Sequence, residues 1–360
     1  MTGSSKPLVL VLGATGFTGQ SVVDGLLKSG MFRVAALIRP ASVSKPQTET
    51  LRASGVEIRL GDITDAPATL REILAGVDIL ISAVSAWIID DQKEIFRTAK
   101  DVGVKRVVPC DWATPGAKAL RELHDKKLAI REFVQDLCVP YTFLDVGWWM
   151  QISLPLPARS ATHMKAKTYQ VFGDGANRLL VTDLRHIGAH VARVVADPRT
   201  LGRAVMIWED EPTQLETHEI GERCSGEGES IKAQRQYVKA DEVLQWVAEG
   251  KAELARGVDT PDVLLKVHWN MYMYSMHILG ENTLENAKRL GYLDVRELYP
   301  DVPRYTLEDF AKEFYTWENP GKVFDRHGIT AVFTVLVLLP QPLSCWSPLF
   351  ESADLIFMSL

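Results

Sequence analysis

The first 150 residues alternate between two hydrophobic periods, and this alternation restricts the fold more than any other feature of the chain. "LVLVLG", residues 8–13, is an unbroken apolar run closed by glycine, the pattern of a strand buried on both faces. "GQSVVDGLLKSG" follows with apolar residues at helical spacing and stops at Gly30. The same two patterns then recur. Strands are expected in "FRVAALIR", "VEIRLGD", "VDILISAVS", "VKRVVPCD" and "VPYTFLDVG". Helices are expected between them in "TETLRASG", "APATLREILAG", "DQKEIFRTAKDVG" and "LHDKKLAIREFVQDLC". Strands alternating with helices of this length predict an α/β fold with a doubly wound parallel sheet. Right-handed crossovers align the C-terminal ends of the strands along one edge, where ligands bind.

The turn after the first strand, "GATGFTG", places Gly13, Gly16 and Gly19 at three-residue intervals, with Thr15, Phe17 and Thr18 between them. Taken alone, such a turn is equally compatible with tight packing in a core. Between a buried strand and a helix it points to a Rossmann-type dinucleotide site, because small residues admit the pyrophosphate while helix amides and dipole attract its charge. The end of the second strand selects the cofactor. An acidic residue there would bind the ribose hydroxyls of NAD. The chain instead has Arg39, with Lys45 a little beyond, and a guanidinium suits the 2′-phosphate of NADPH. The bland alternative is a solvated strand-end arginine. Asp62 ends the third strand, where it can meet the adenine, and Ala83 and Val84 end the fourth, beside the cofactor.

Composition excludes several other classes. With 46% hydrophobic residues, 24% charged residues and a net charge of −6, the chain lacks the basic footprint of a nucleic-acid-binding protein. The four cysteines are far apart without zinc-ligand spacing, so no metal site and a reduced, cytoplasmic setting are expected. His186 and His190 stand four residues apart, as zinc ligands can, but no third ligand is evident and a plain helix face is the better reading. The residues before the first strand lack a basic stretch followed by a small-residue cleavage site, so no signal peptide is expected. The length suggests a dinucleotide domain over 1–150, a smaller substrate lobe over 151–326 with some elements returning to the sheet, and an apolar extension over 327–360. The run "ITAVFTVLVLL" in that extension is about half of what a bilayer-spanning helix requires, so no integral membrane segment is expected, a surface anchor being the alternative.

Several stretches together resemble the NmrA-like and isoflavone-reductase-like group of atypical short-chain dehydrogenases. They are "GATGFTG", "GVEIRLGDITD", "GVDILISAVS", "GVKRVVPCDWAT", "KLAIREFVQDLCVPYTFLDVGWW" and "LYPDVPRYTLEDFAKEF". The resemblance runs with gaps from residue 8 to 316, is loose between 205 and 285, and is closer to fungal members. It implies one of two roles: an NADPH-dependent reductase of aromatic metabolites, or a redox-sensing regulator that binds the dinucleotide without turnover. The Tyr-x-x-x-Lys pair of ordinary short-chain dehydrogenases is absent, since none of the nine tyrosines has lysine four residues later. The group's reductases carry a lysine in K-x-x-I-R, and Lys127 occupies that place in "KLAIR". The resemblance makes Lys127 the catalytic lysine; without it, Lys127 reads as a surface helix lysine like Lys126. A lysine withdrawn from water beside a nicotinamide can exchange a proton with a phenol or carbonyl oxygen.

Around that lysine, Arg131 reads as structural and paired with an acid. His124 is either a proton relay or, as the better reading, a partly exposed histidine. "PCDWAT" stands where the group usually has a "PSEFG"-like stretch, which puts Asp111 in the acidic place and Cys110, read as a small buried thiol, in place of serine. Trp148, Trp149 and Met150 are expected to line an aromatic substrate pocket, packing of the two lobes being the alternative. "HWNMYMYSMHILG" is expected to cover the cleft as a helix, or simply to fill a core. The resulting expectation is an NADPH-dependent reductase of an aromatic or polyketide-like small molecule in fungal secondary metabolism. Hydride would pass from the nicotinamide, with Lys127 as proton donor or acceptor. The alternatives are an NmrA-like sensor of NADP(H) and a cofactor-binding isomerase or cyclase. The oligomeric state is left open.

Overall fold

The computed structural model describes residues 6–325, and the apolar extension expected from residue 327 lies outside the described residues. The alternating half forms β1 (Leu8–Leu12), α1 (Phe17–Ser29), β2 (Arg33–Ile38), α2 (Pro46–Ala53), β3 (Glu57–Leu60), α3 (Pro67–Ile73), β4 (Ile79–Ser82), α4 (Gln92–Asp101), β5 (Arg106–Val108), α5 (Glu122–Asp136) and β6 (Thr142–Asp145). Five of these strands pair in parallel in the order β3-β2-β1-β4-β5. Beyond residue 145 follow β7 (Trp148–Trp149), β8 (Gln170–Phe172), β9 (Val181–Thr182), α6 (Ile187–Ala196), β10 (Arg203–Met206), α7 (Gln214–Cys224), α8 (Gly228–Ala233), β11 (Gln236–Val238), α9 (Ala240–Ala255) and α10 (Pro261–Met273). The last elements are α11 (Leu284–Arg289), β12 (Leu293–Asp294), α12 (Val295–Leu298), α13 (Leu307–Phe314) and α14 (Lys322–Asp325).

The chain returns to the sheet after leaving it. β6, β10 and β12 form a parallel ladder in the order β12-β10-β6. A parallel bridge between Val107 and Tyr141 joins this ladder to the first, supported by the Val107 amide donating to the Pro140 carbonyl at 2.8 Å. Strand β10, although it follows residue 150 in the chain, therefore extends the nucleotide-domain sheet.

Each face of that sheet is covered by side chains that the period-2 pattern sorts. On β1, Val9 and Val11 point to Val22, Val23 and Leu26 of α1 and to Ile187, Val191 and Val195 of α6. Leu8, Leu10 and Leu12 point the other way, to Leu70, Phe96, Ile130 and Val134. Helices α1 and α6 cross at backbone distance: a Cβ on Gly188 would lie 1.7 Å from the Ser21 carbonyl oxygen, and one on Gly25 would lie 2.0 Å from the Gly188 carbonyl carbon. The Gly188 amide donates to Ser21 Oγ at 3.0 Å across this crossing. The segment that carries His186 and His190 begins as strand β9 and turns helical only at Ile187.

A separate apolar core, with Met150, Leu154, Phe172, Trp269, Met273, Phe310 and Phe314, builds the second lobe. Trp148 belongs to this core and follows the C-terminal end of β6 closely, so the lobe borders the ligand edge of the sheet. Among the described residues no helix is long and apolar enough to cross a membrane.

Candidate active site

The turn between β1 and α1 uses its glycines for two different purposes. Gly13 has φ +72°, and a Cβ there would lie 2.2 Å from the Ala83 carbonyl oxygen. A Cβ on Gly19 would lie 2.1 Å from the Gly13 carbonyl oxygen. These two glycines are required by the fold itself. Gly16 is exposed, and a Cβ there would meet only the Gly13 carbonyl oxygen, at 3.3 Å. At Gly16 the Gly13 carbonyl would have to give by only a few tenths of an ångström, so the fold demands glycine there less strictly than at Gly13 or Gly19. Helix α1 begins at the next residue with no side-chain cap and no acidic residue in its first turn. Its first amides and the positive end of its dipole face the turn, an arrangement that receives phosphate. Around it Thr15 is exposed, while Phe17 and Thr18 are half-buried. These residues fit a dinucleotide pyrophosphate.

The other strand ends lie along the same edge. Arg39 follows β2 and is exposed, and its guanidinium forms no hydrogen bond or ion pair among the described residues. Lys45 is likewise exposed, at the start of α2. The Asp62 carboxylate accepts from the Thr64 amide at 3.0 Å and from its hydroxyl at 2.9 Å, which closes the loop after β3. Ala83 and Val84, half-buried after β4, border a cleft of about 150 Å³. Thr18 of the glycine turn, Cys110, Asp111, Lys127, Trp148 and Trp149 border the same cleft.

Lys127 reaches this cleft because of its phase on α5. His124, Lys127 and Arg131 occupy the inward face of that helix, while Lys126 is exposed. Lys127 is only 7% exposed, and its ammonium donates to the main-chain carbonyl of Asp111. That carbonyl is held from several sides. The Asp111 carboxylate accepts from Arg131 Nε at 3.0 Å. Trp112 follows with φ +45°, a conformation a bulky side chain adopts only when its surroundings enforce it. Its amide donates to the Leu144 carbonyl at 3.0 Å and its indole N–H to the Ser82 carbonyl at 2.7 Å.

Beneath the lysine lies a buried charge cluster. Arg131 also pairs with Asp145 at 3.1 Å and donates to the Tyr292 hydroxyl, which in turn donates to Asp145. The Arg131 guanidinium holds Asp145 ionised and well below the usual carboxylate range, whereas burial pushes Asp111 up to about 6. One cation thus serves two carboxylates, and the more deeply hydrogen-bonded of them is the more acidic. Arg131 is paired with acids, as expected; the Asp111 carboxylate is committed to it, so that residue meets Lys127 through its backbone.

Two expectations change. His124 is 1% exposed, with Nε2 2.9 Å from the Gly116 carbonyl oxygen. Burial, helped by the Arg121 charge, pushes it down to about 4, so it is a neutral buried imidazole rather than a partly exposed one. Met150 is fully buried in the second-lobe core and does not border the cleft, because the chain turns into a 3₁₀ turn after Trp149 and reverses its side-chain direction. His186 and His190 do not share a ligand: His186 Nδ1 pairs with Glu209 at 2.7 Å, while His190 is buried and held down to about 4. No group of three metal-ligating side chains occurs among the described residues. Cys110 is a buried thiol, its Sγ 3.2 Å from the Val84 carbonyl oxygen, and burial pushes it up to about 12.

Trp148 and Trp149 do form one wall of the cleft. Trp149 meets Phe17 edge-on at 6.2 Å, tying the wall to the glycine turn. Trp148 packs against Trp269 at 6.0 Å and Tyr272 at 5.9 Å. Trp112, Thr114, Leu123, Ile152 and Tyr272 also line the cleft and were not singled out from sequence. The Met- and aromatic-rich stretch marked the region of Tyr272 without marking the residue. It forms the end of α10 and continues into a π-helical turn over Tyr274–Ile278.

Comparison with known proteins agrees with this geometry. Residues 5–255 match the NmrA-like family. The chain is 35% identical over 312 residues to the asnovolin J 5',6'-dehydrogenase of Aspergillus novofumigatus, covering 85% of this chain and 94% of that protein. It is 28% identical to a probable pinoresinol-lariciresinol reductase of Arabidopsis thaliana, covering 85% and 96% of the two chains. Among solved structures, the leucoanthocyanidin reductase–NADPH complex from Vitis vinifera superposes with a TM-score of 0.70 at 21% identity, over 86% of this chain and all of that one. An isoflavone reductase superposes with a TM-score of 0.69 at 24% identity, over 86% and 100%. These structures share the fold; the family match and the fungal relative establish the kinship, and the chain belongs to the NmrA-like family.

Proposed function

We propose that the chain is an NADPH-dependent oxidoreductase of an aromatic or polyketide-like small molecule, working in the cytoplasm in fungal secondary metabolism. The observation that carries this reading is Lys127. A buried ammonium, fixed by a main-chain carbonyl, borders the same cleft as the glycine turn and two tryptophans. A protein that only senses its cofactor has no need of such a group there. The relatives support the class of chemistry, since they are named as a dehydrogenase and as reductases.

Gly13, Gly16, Gly19 and the first amides of α1 would hold the pyrophosphate, and Arg39 and Lys45 the 2′-phosphate. Bound NADPH supplies a hydride to an acceptor carbon of the substrate. Trp148, Trp149 and Tyr272 flank the aromatic body of the substrate and exclude water from the reacting face. Lys127 Nζ gives a proton to the substrate oxygen in reduction and takes it back in oxidation. The Asp111 carbonyl orients that ammonium, so its remaining N–H bonds point to the cleft.

The test uses the adjacent lysines. Lys127→Ala is expected to keep the fold and NADPH affinity while lowering turnover of a quinone, enone or aromatic ketone by about 10²–10⁴. Lys126→Ala, exposed on the neighbouring face, leaves turnover unchanged. Full activity in Lys127→Ala would refute the assignment. If no compound of such a panel oxidises NADPH, while NADP and NADPH bind with clearly different affinity, the reading gives way to a sensor.

A further inference from the structure

The second lobe contains a separate small cavity. Trp148 and Ile152 border both this cavity and the cleft, so together they form the partition between the two spaces. The remaining wall carries Lys167, Gln170, His218 and His277, and no acidic side chain is among the residues that line it. His277 is brought there by the π-helical turn after α10, an uncommon backbone feature that often accompanies binding sites.

Lys167 is the anomaly. Its side chain is half-buried, yet its ammonium has no hydrogen bond and no ion pair among the described residues. Burial alone lowers it, with no carboxylate near enough to offset the loss of water. Its neighbour Lys165 behaves differently, its ammonium donating to the Ala158 carbonyl at 2.6 Å. Both histidines are neutral, burial pushing His218 down to about 4 and His277 to about 3. Gln170 Oε1, His218 Nδ1 and His277 Nδ1 are buried without partners. The cavity wall thus offers one uncompensated cation, unsatisfied polar groups and no negative charge.

We propose that this cavity binds a carboxylate, with Lys167 as its counter-ion. The carboxylate belongs either to the far end of the substrate, reaching past Trp148 from the cleft, or to a separate small acid. The first case rests on the oxidoreductase reading, and the second does not.

Benzoate and the neutral, nearly isosteric benzamide serve as probes, titrated calorimetrically into the full chain saturated with NADPH. Benzoate is expected to bind at least tenfold more tightly than benzamide. Lys167→Met should abolish that preference; Lys167→Arg and Lys165→Met should retain it, which also reports on folding. Equal binding of the two probes, or a preference that survives Lys167→Met, would overturn the proposal. Kinetics with an aromatic enone carboxylic acid and its methyl ester separate the sources. A KM for the acid raised at least tenfold in Lys167→Met, with the ester unaffected, identifies the acid as the substrate's own. Unchanged KM values beside lost benzoate binding identify a separate ligand. Benzoate binding is read without turnover, so failure of the site and failure of the oxidoreductase reading are distinguishable.

Discussion

Arg131→Met should cost about 3–5 kcal/mol of stability, the range found when one partner of a buried ion pair is removed. The structure explains why the cost is neither smaller nor doubled. Asp111 and Asp145 have side chains 2% and 0% exposed, so water cannot replace the guanidinium that holds them at 3.0 and 3.1 Å. Asp145 nevertheless keeps the Tyr292 hydroxyl and the Ala113 amide, the latter at 3.2 Å. The two carboxyls can also share a proton, so only one full charge is stranded. Urea unfolding of the cofactor-free protein at pH 5 to 8 measures the effect. Burial raises both carboxyls and the Arg131 charge opposes it, so in the variant both are expected to be raised in the folded state. A group raised in the folded state favours folding at low pH and loses that contribution as pH rises through its folded value. The penalty of Arg131→Met should therefore shrink towards pH 5 and be greatest at pH 8. Adding Asp111→Asn should recover part of the loss. A penalty below about 1 kcal/mol, or one independent of pH, would refute this account of the cluster.

Gly16→Val should weaken NADPH binding while keeping the circular dichroism spectrum of the folded chain, since a Cβ there asks only a small shift of the Gly13 carbonyl; unchanged affinity in a folded variant would return this glycine to a turn role. Arg39→Ala should weaken NADPH by about 1.5–3 kcal/mol, the worth of a charge-assisted hydrogen bond, with little effect on NADH. Wild-type protein that binds NADH as tightly as NADPH would contradict that assignment.

The sequence by itself determined the nucleotide half of this protein. Strand period, helix period and glycine spacing are local properties, and each is expressed within a few residues of where it is written. That is why the six alternating strands, the turn at Gly13 and the expected positions of Arg39, Asp62 and Val84 could be read directly. The lysine was found only through its motif, for nothing local separates Lys127 from Lys126; the phase of α5 against the sheet buries one and exposes the other. Tertiary structure decided the rest. Tyr292 lies 161 residues from Arg131, and no pattern near either announces that they share a proton network with Asp145. The direction of Met150 depends on a 3₁₀ turn, and the selection of Tyr272 on how α10 lies across the cleft. The isolation of Lys167 is a statement about which carboxylates are absent from its surroundings. Such facts depend on distances between segments remote in the chain, which packing fixes and local periodicity does not encode.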